Sequence, residues 1–480
     1  MKQKSLIKNA LFNFMYTGLN LLFPLISAPY VSRVLGAANL GKVQFATSIV
    51  NWFVLFAVFG TSTYGIREVA KNRDDKKELS KIFSEIMIIN GILSIIAVVI
   101  YFFLVFNIEQ FNKELPLFLV MSLSILLNMF ALDWFYQGIE EYSYITIRNA
   151  IFKIVSLISI FIFVKNPQDY LIYGLISVLS ISLSGILNYI YSKKYIKVTF
   201  KNINIFRHMK SLSVFFINTL VINSYSNLDK TLLGFYVNTT AVAFMARCTT
   251  VTNMGIAVSK SISNVAMPRS SYYLKHDKEK YSNLLKIVPQ FIMWITIPIT
   301  FGIIVLSPNI MFILGGNEFL DATLLLQITS IIIIFSSLST YLQSQIIIPN
   351  GNERIGLWCS VVASVVSILL NIILIPKFSF IGSGIAVVVA EMFSMLTRYY
   401  VVKRVLNYSE VNLINKSSTI YLIVSLLMGL LVLLIQQIIG NLLLSFFVSA
   451  FAGFVFYVLA LFVLKEKVTM IMLKKLKILR

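Results

Sequence analysis

The sequence contains few charged residues and very few cysteines and histidines. Only 13% of its 480 residues are charged, whereas 58% are hydrophobic. Soluble globular proteins do not have that balance, so the composition excludes a soluble domain. Cys248 and Cys359, its two cysteines, both lie in apolar stretches, and no disulfide framework is expected. Its two histidines, His208 and His276, are expected to be solvated residues of basic loops, so no metal site is predicted.

Long apolar runs separated by short polar turns fill the chain instead. A hydrocarbon core about 30 Å thick requires about 20 apolar residues per helix, and about fourteen runs meet that length. The predicted spans are 10–34, 41–65, 82–106, 115–137, 146–165, 170–191, 211–236, 240–266, 286–314, 320–348, 355–376, 379–402, 418–438 and 441–464. The first run has no small-residue cleavage site and is expected to be a span rather than a signal peptide. The sequence therefore predicts an all-α integral membrane protein.

Basic residues predict the orientation of the spans. The chain has 41 Lys and Arg against 20 Asp and Glu. Most of the basic residues lie in alternate loops and in the tail, at 67–81, 193–210, 269–286, 398–416 and 465–480. The positive-inside rule puts these loops, and hence both termini, in the cytoplasm. This asymmetry accounts for the formal charge of +21, and no nucleic-acid partner is needed to explain it.

A weak internal repeat predicts two lobes. Val34-Leu35-Gly36 is echoed by Leu232-Leu233-Gly234, about 200 residues and six spans later. Because six is even, the two halves keep one orientation and form a parallel repeat. The predicted lobes are 1–205 and 206–410, followed by an extra pair of spans and a basic tail in 411–480. A substrate path is expected between the lobes.

Charged residues interrupt the apolar register of spans seven and eight. Asp229, Lys230, Arg247 and Lys260 lie there, and each charge at bilayer depth costs about 2.5–3.5 kcal/mol. On span eight, Arg247, Thr250, Asn253, Lys260 and Asn264 fall on one helical face. That face predicts a wet, cationic surface and an anionic passenger. For Asp229 and Lys230, which lie near the outer turn, snorkelling to the interface is an equal explanation.

Polar stripes also follow the first two spans. Asn13, Thr17, Asn20, Pro24 and Ser27 form one stripe, and Gln44, Ser48 and Asn51, with Trp52 beside them, form another. For any one of these residues, packing between helices is as good an explanation as a ligand contact. Taken together, the stripes favour a cavity lined by spans one, two, seven and eight.

Four stretches resemble one family of transporters. They are DWFYQGIEEYSYITIRN from Asp133, PYVSRVLGAANLGKVQFA from Pro29, YGIREVAKNRDD from Tyr64 and NIILIPKFSFIGSGIAVVVAE from Asn371. Together they are similar to Wzx-type oligosaccharide flippases of the multidrug/oligosaccharidyl-lipid/polysaccharide exporter superfamily. The resemblance covers spans one to twelve and implies fourteen spans in two six-helix lobes.

The resemblance implies transport rather than catalysis. The cargo would be an undecaprenyl-diphosphate-linked oligosaccharide, moved to the outer leaflet of a bacterial cytoplasmic membrane for capsular, O-antigen or teichuronic-type polysaccharide. Arg247, Lys260 and Arg33 would pair with its diphosphate. Trp52, Trp134 and Tyr136 would stack on sugar rings unless they are interfacial anchors, the commoner role of aromatic residues near helix ends. Membrane lipids, a polysaccharide polymerase and glycosyltransferases are the expected partners.

No cofactor is expected, although the superfamily resembles ion-coupled antiporters. Glu391, near the middle of span twelve, is a candidate site for a coupling proton or sodium ion, with Asp229 as the second candidate. A structural hydrogen bond is an equal explanation for Glu391. Asp133, at the cytoplasmic membrane edge, is expected to hold the turn after span four through Arg148.

Other functions stay open to different degrees. A lipid II flippase shares the anionic lipid substrate, and the sequence does not exclude it. A drug exporter of the same superfamily would bind cations, for which Arg247 and Lys260 are unsuited. A polymerase would be expected to carry a large external loop, which is missing here, and a scaffold would leave the charged residues of the spans unexplained.

Overall fold

The computed structural model describes residues 6–201 and 203–475, and helices dominate this part of the chain. Side chains at 6–11, 13, 14, 21, 218, 222, 224–226 and 473–475 lie outside the description, so the predicted stripe residue Asn13 cannot be placed. No strand occurs among the described residues. The predicted all-α fold is therefore confirmed.

The α-helices of the described chain follow one another through short connections. In order they are α1 (Leu6–Val58), α2 (Thr61–Asn72), α3 (Lys76–Asn107), α4 (Glu109–Asn112), α5 (Leu115–Leu127), α6 (Asp133–Gly138), α7 (Tyr142–Phe163), α8 (Tyr170–Ser192), α9 (Phe206–Tyr236), α10 (Thr239–His276), α11 (Lys278–Gly315), α12 (Thr323–Ser330), α13 (Ile332–Leu342), α14 (Glu353–Tyr400), α15 (Lys416–Ile438), α16 (Leu442–Val463) and α17 (Lys467–Lys475). Short 3₁₀ helices cover Asn128–Phe130, Pro167–Asp169 and Asn317–Ala322, and π-helical turns cover Gln343–Ile347 and Val401–Val405.

Two of the longest helices each join two predicted spans across a sharp break. In α1 the break is at Gly36, whose φ of 71° suits a residue without a Cβ atom. In α14 it is at Ser379, with a φ of 54°, three residues after Pro376, which lacks a backbone donor. Both breaks lie at predicted boundaries between neighbouring spans.

Eleven helical stretches of the described chain are long and apolar enough to cross a membrane. Two of them, Met15–Asn72 and Glu353–Val405, contain the breaks at Gly36 and Ser379 and so hold two predicted spans each. The chain is a multi-pass membrane protein. The count of fourteen spans stays a prediction.

Contacts divide the chain into two compact units. The first is Met1–Gly234 with Asn238–Ala243, and the second is Phe235–Val237 with Phe244–Arg480. The predicted lobe boundaries, at 205 and 410, stay predictions. The contacts differ from them in grouping most of α9 with the first unit.

Each unit has its own aromatic core. In the first unit Phe83 of α3 packs against Trp134 and Phe135 of α6, in a core that also includes residues of α2. In the second, Tyr341, Tyr421 and Tyr457 belong to a core formed by α11, α13, α15 and α16. The opposite faces are apolar as well: Phe447, Phe451 and Phe454 of α16 are 64% to 71% exposed. Such a stripe is suited to lipid rather than water.

Candidate functional site

The stretch that begins at Asp133 forms a polar clamp between α6, α7 and α8. Arg148 of α7 donates to the Asp133 carboxylate at 2.8 Å and also to Asn188 of α8. The Asn188 side-chain amide donates to the same Asp133 oxygen at 3.0 Å. The Arg148 side chain is 4% exposed, and that of Asp133 is 32% exposed. The structure thus brings Asp133 and Arg148 together, and we call these three residues the Arg148 clamp.

The helix predicted over 115–137 is interrupted just before this clamp. The α-helix α5 ends at Leu127, a 3₁₀ turn follows, and α6 begins at Asp133. Ala131, between the 3₁₀ turn and α6, has a non-helical ψ of 70°, and the aromatic residues of α6 lie in the core of the first unit. Trp134 is 3% exposed and Tyr136 is fully buried, so the expectation that they stack on sugars is wrong.

A lysine that the sequence analysis overlooked lies near the middle of α7. The Lys153 ammonium donates to the Asn20 side-chain oxygen at 2.6 Å and lies 5.2 Å from the Phe23 ring centroid. Lys153 is half-buried, whereas Asn20 is exposed. A charged residue inside an apolar span is costly and marks a candidate functional site, and this applies to a lysine in span five as it does to the charges of spans seven and eight. The predicted site residue Asn20 is therefore part of a cationic group in the first unit.

The polar stripe of the second span packs against α9. The Trp52 indole donates to Thr231 at 3.1 Å, and Thr231 donates to Ser48 at 3.2 Å. Asn51 is exposed and lies 3.5 Å from the Asn227 side-chain oxygen, at the outer limit of a hydrogen bond. This group joins α1 to α9 within the first unit.

The predicted acid Asp229 is on the same helix, α9. Its side chain is 4% exposed, and it accepts a hydrogen bond from the backbone amide of Lys230 at 2.8 Å. The interfacial snorkelling considered for Asp229 does not fit this burial.

The predicted cationic face of α10 varies in exposure along its length. Arg247 is 6% exposed, whereas Asn253, Lys260 and Asn264 are exposed. Arg33, predicted to assist them, is exposed on α1, three residues before the Gly36 break. The cavity predicted between the lobes stays a prediction.

The candidate coupling acid Glu391 is half-buried in the second part of α14.

Two turns further along the same helix, Arg398 is 8% exposed and has several neutral acceptors. It donates to the hydroxyls of Ser339, Ser360 and Ser394 and to the amide oxygen of Gln343. We call Arg398 and these acceptors the Arg398 cluster, which the sequence analysis did not identify.

The expectation that His208 is solvated is wrong, because it is buried in an ionic cluster. His208 is 3% exposed, and its Nε2 lies 2.8 Å from Glu85 Oε2, while Glu85 is fully buried. Arg207 donates from Nε to the same Glu85 oxygen at 2.8 Å, and Tyr64 Oη lies 2.5 Å from His208 Nδ1. Sequence reasoning missed this group because Glu85 and His208 are far apart along the chain. His276 is exposed, as expected.

Comparisons with known proteins agree with the polytopic fold. Residues 6–274 match the family described as "Polysaccharide biosynthesis protein". A "Putative O-antigen transporter" of Shigella dysenteriae is 26% identical over 402 residues, covering 82% of this chain and all of that protein. "Capsular polysaccharide biosynthesis protein CapF" of Staphylococcus aureus is 22% identical over 417 residues, covering 83% and 100%.

Among solved structures, "Lipid II flippase MurJ, inward closed conformation" aligns with a TM-score of 0.76. The alignment covers 95% of this chain and 98% of that chain at 18% identity, a level that shows the shared fold alone. The family match covers more than half of the present sequence. The chain therefore belongs to the polysaccharide biosynthesis protein family, as a Wzx-type flippase of the multidrug/oligosaccharidyl-lipid/polysaccharide exporter superfamily, and is a membrane transporter rather than an enzyme.

Proposed function

We propose that this transporter moves an undecaprenyl-diphosphate-linked oligosaccharide from the cytoplasmic to the outer leaflet of a bacterial cytoplasmic membrane. The observation that carries the proposal is the presence of cations inside membrane-spanning helices. Lys153 lies near the middle of α7, and Arg247 and Lys260 lie on α10. A cation at bilayer depth is costly unless water, protein or an anionic ligand surrounds it.

The chemistry of a lipid-linked sugar suits polar and cationic side chains inside the membrane. Each sugar hydroxyl that enters hydrocarbon without a partner costs about 4–8 kcal/mol, so unassisted flipping of several sugars is negligibly slow. Exposed polar side chains such as Asn20, Asn51 and Asn253 offer those hydroxyls partners. The diphosphate is anionic, and Arg247, Lys260 and Arg33 would bind it through charge-assisted hydrogen bonds.

Coupling to an ion gradient belongs to the same proposal. Glu391 is the first candidate for binding the coupling proton or sodium ion, and Asp229 is the second. Glu391→Gln is expected to hold the transporter in one state and stop transport while substrate still binds, because an ion shifts conformations only through its difference in affinity between them. The measurement is transport in proteoliposomes under an imposed pH or sodium gradient. Equal rates and equal gradient dependence for wild type and Glu391→Gln would remove Glu391 from the mechanism.

A lipid II flippase is the alternative that a specific observation favours. The MurJ structure, a lipid II flippase by name, shares the fold over 95% of this chain. The relatives named for O-antigen and capsular polysaccharide support the oligosaccharide cargo instead. Genes for glycosyltransferases and a polymerase beside this gene, whose products are the proposed partners, would favour the repeat-unit cargo too.

Removal of the gene from its host separates the two cargoes. We expect loss of surface polysaccharide and accumulation of lipid-linked repeat units in the cytoplasmic leaflet, both reversed by the restored gene. Unchanged surface polysaccharide, together with rescue of cells depleted of their lipid II flippase, would favour the alternative.

Tags placed at each terminus should be accessible only from the cytoplasm if the proposed orientation is right.

A further inference from the structure

We propose that His208 is a proton-binding site that sets how firmly the start of α9 is held to α2 and α3, so that protonation slows transport. The inference rests on the proposed function for its transport measurement. We call Tyr64, Glu85, Arg207 and His208 the His208 relay. It joins three helices of the first unit: Tyr64 is on α2, Glu85 on α3, and Arg207 and His208 on α9.

Both ring nitrogens of His208 have partners, and these partners differ in kind. Nε2 lies 2.8 Å from the Glu85 carboxylate, which also accepts from Arg207 and from the Asn204 backbone amide. A carboxylate that receives these donors is ionised and can only accept, so His208 Nε2 carries a hydrogen. Nδ1 lies 2.5 Å from the Tyr64 hydroxyl, which can donate or accept. His208 can therefore take up a proton at Nδ1.

Protonation reverses one hydrogen bond without moving the ring. In neutral His208 the Nδ1 lone pair accepts from the Tyr64 hydroxyl. In the cation Nδ1–H donates to the Tyr64 oxygen, and the Tyr64 hydroxyl hydrogen no longer points at the ring. At the same time the bond to Glu85 becomes charged on both sides, and such bonds are shorter and stronger. A proton on His208 thus strengthens the attachment of α9 to α3.

The surroundings of His208 can balance that positive charge. Tyr64, Glu85 and Arg207 contact His208 directly, with 3.3 Å between Arg207 Nε and His208 Nε2. Arg67 and Glu68 lie beside Tyr64, and Glu78 binds Arg207. Arg207 binds both carboxylates of α3, with 2.7 Å between its Nη1 and Glu78 Oε1. Across the relay and its neighbours, the two guanidinium groups of Arg67 and Arg207 face the three carboxylates of Glu68, Glu78 and Glu85, and one added proton balances the negative charge in excess.

The relay lies at a joint of the first unit. Phe59 and Gly60, between α1 and α2, have φ values of 43° and 79°, so the chain turns sharply there. A Cβ atom at Gly60 would lie 2.6 Å from the Phe216 backbone nitrogen of α9, so the turn and α9 are in close contact. Tyr64 follows one turn later. The bond between Tyr64 and His208 therefore lies beside the turn at which α2 meets α9.

The same cluster fixes the segment that leads into α9. Backbone amides of Lys197 and Thr199 donate to the Ser80 and Ser84 hydroxyls of α3 at 3.2 Å and 2.9 Å. Asn204 then donates to Glu85 at 2.7 Å. This segment is thus held along α3 and ends at the relay. A change in the charge of His208 acts at the point where α9 begins.

The chain offers a matched control, because it contains only two histidines. Transport of lipid-linked oligosaccharide into proteoliposomes would be measured between about pH 5 and pH 8, the range in which histidine titrates. We expect the wild-type rate to fall about fivefold toward the acid end, since a charge-assisted hydrogen bond is roughly twice as strong as a neutral one. His208→Gln should remove this dependence, and His276→Gln should keep it.

A second measurement reports on the proton itself and needs no substrate. In the His276→Gln protein, labelled on histidine, one imidazole remains, and its NMR signal should titrate reversibly over the same range. An imidazole signal that does not titrate, or a wild-type pH profile in His208→Gln, would overturn the proposal. If the wild type moves no lipid-linked oligosaccharide, the proposed function fails, while the signal still decides whether His208 binds a proton.

Discussion

Two buried arginines, one in each unit, are accommodated by different chemistry. In the Arg148 clamp the guanidinium binds a carboxylate, Asp133, and the amide of Asn188. In the Arg398 cluster the hydrogen bonds described above go to hydroxyl and amide oxygens, with 2.6 Å to Ser339 and 2.7 Å to Ser360. In both, several helices or helix segments meet at one side chain. A search for opposite charges finds the carboxylate of the Arg148 clamp, but it does not find the hydroxyl and amide acceptors of Arg398.

The difference lies in what remains when the arginine is removed. Loss of Arg148 leaves the Asp133 charge with the Asn188 amide, 3.0 Å away, as a remaining donor in the clamp. Loss of Arg398 leaves neutral hydroxyls that can pair among themselves: Ser339 and Ser394 are already 3.1 Å apart. Breaking an ion pair strands a charge, whereas hydroxyls can change partners.

The largest loss of stability is expected for Arg148→Ala, at about 3 kcal/mol, the lower end for a broken buried pair because Asp133 is partly exposed. Unfolding in mixed micelles of detergent and SDS would measure it. Arg148→Ala combined with Asp133→Asn, which strands no charge, serves as control and should lose less than Arg148→Ala alone. Equal losses for the single and the double variant would mean that the stranded charge of Asp133 has no effect.

A smaller loss, about 1 kcal/mol, is expected for Arg398→Ala, because the hydroxyls left behind can bond to each other. The same unfolding assay measures it. A loss as large as that of Arg148→Ala would contradict the comparison, since it would show that neutral acceptors hold an arginine as strongly as a carboxylate does.

The smallest effect is expected for Gln343→Ala, about 0.5 kcal/mol, because Gln343 provides one hydrogen bond to Arg398 at 3.2 Å. Combining it with Arg398→Ala should add nothing, since the bond is already gone. Additive losses in the double variant would show that Gln343 acts through other contacts, such as its packing against Gly356.

Local features of the fold and site could be read from the sequence. The Gly36 break was predictable because apolar runs stop on either side of it. Asp133 and Arg148 were predictable as a pair because they flank one turn, so few conformations separate them. Lys153 was within reach of the same rule that identified Arg247 and was overlooked.

Long-range features could not be read in this way. Glu85 and His208 meet only because the segment before α9 runs along α3, and no local pattern specifies that path. Serines such as Ser339 and Ser360 are indistinguishable in sequence from those that merely pack helices together, so the acceptors of Arg398 had no signal. His208 was expected to be solvated because its neighbours in the sequence are basic, whereas the structure buries it.

The most direct test of the central claim is transport of undecaprenyl-diphosphate-linked oligosaccharide by the purified protein in liposomes. Lys260→Ala is the sharpest variant because Lys260 is exposed, and Lys275→Ala, an exposed lysine in the last turn of the same helix, is its control. We expect Lys260→Ala and Arg247→Ala to slow transport at least about tenfold, since a hydrogen bond to a charged group contributes about 1.5–3 kcal/mol. Arg247→Lys should keep partial activity because it retains the charge without the bidentate geometry. Wild-type rates in both alanine variants, or a wild-type rate no higher than that of protein-free liposomes, would contradict the account.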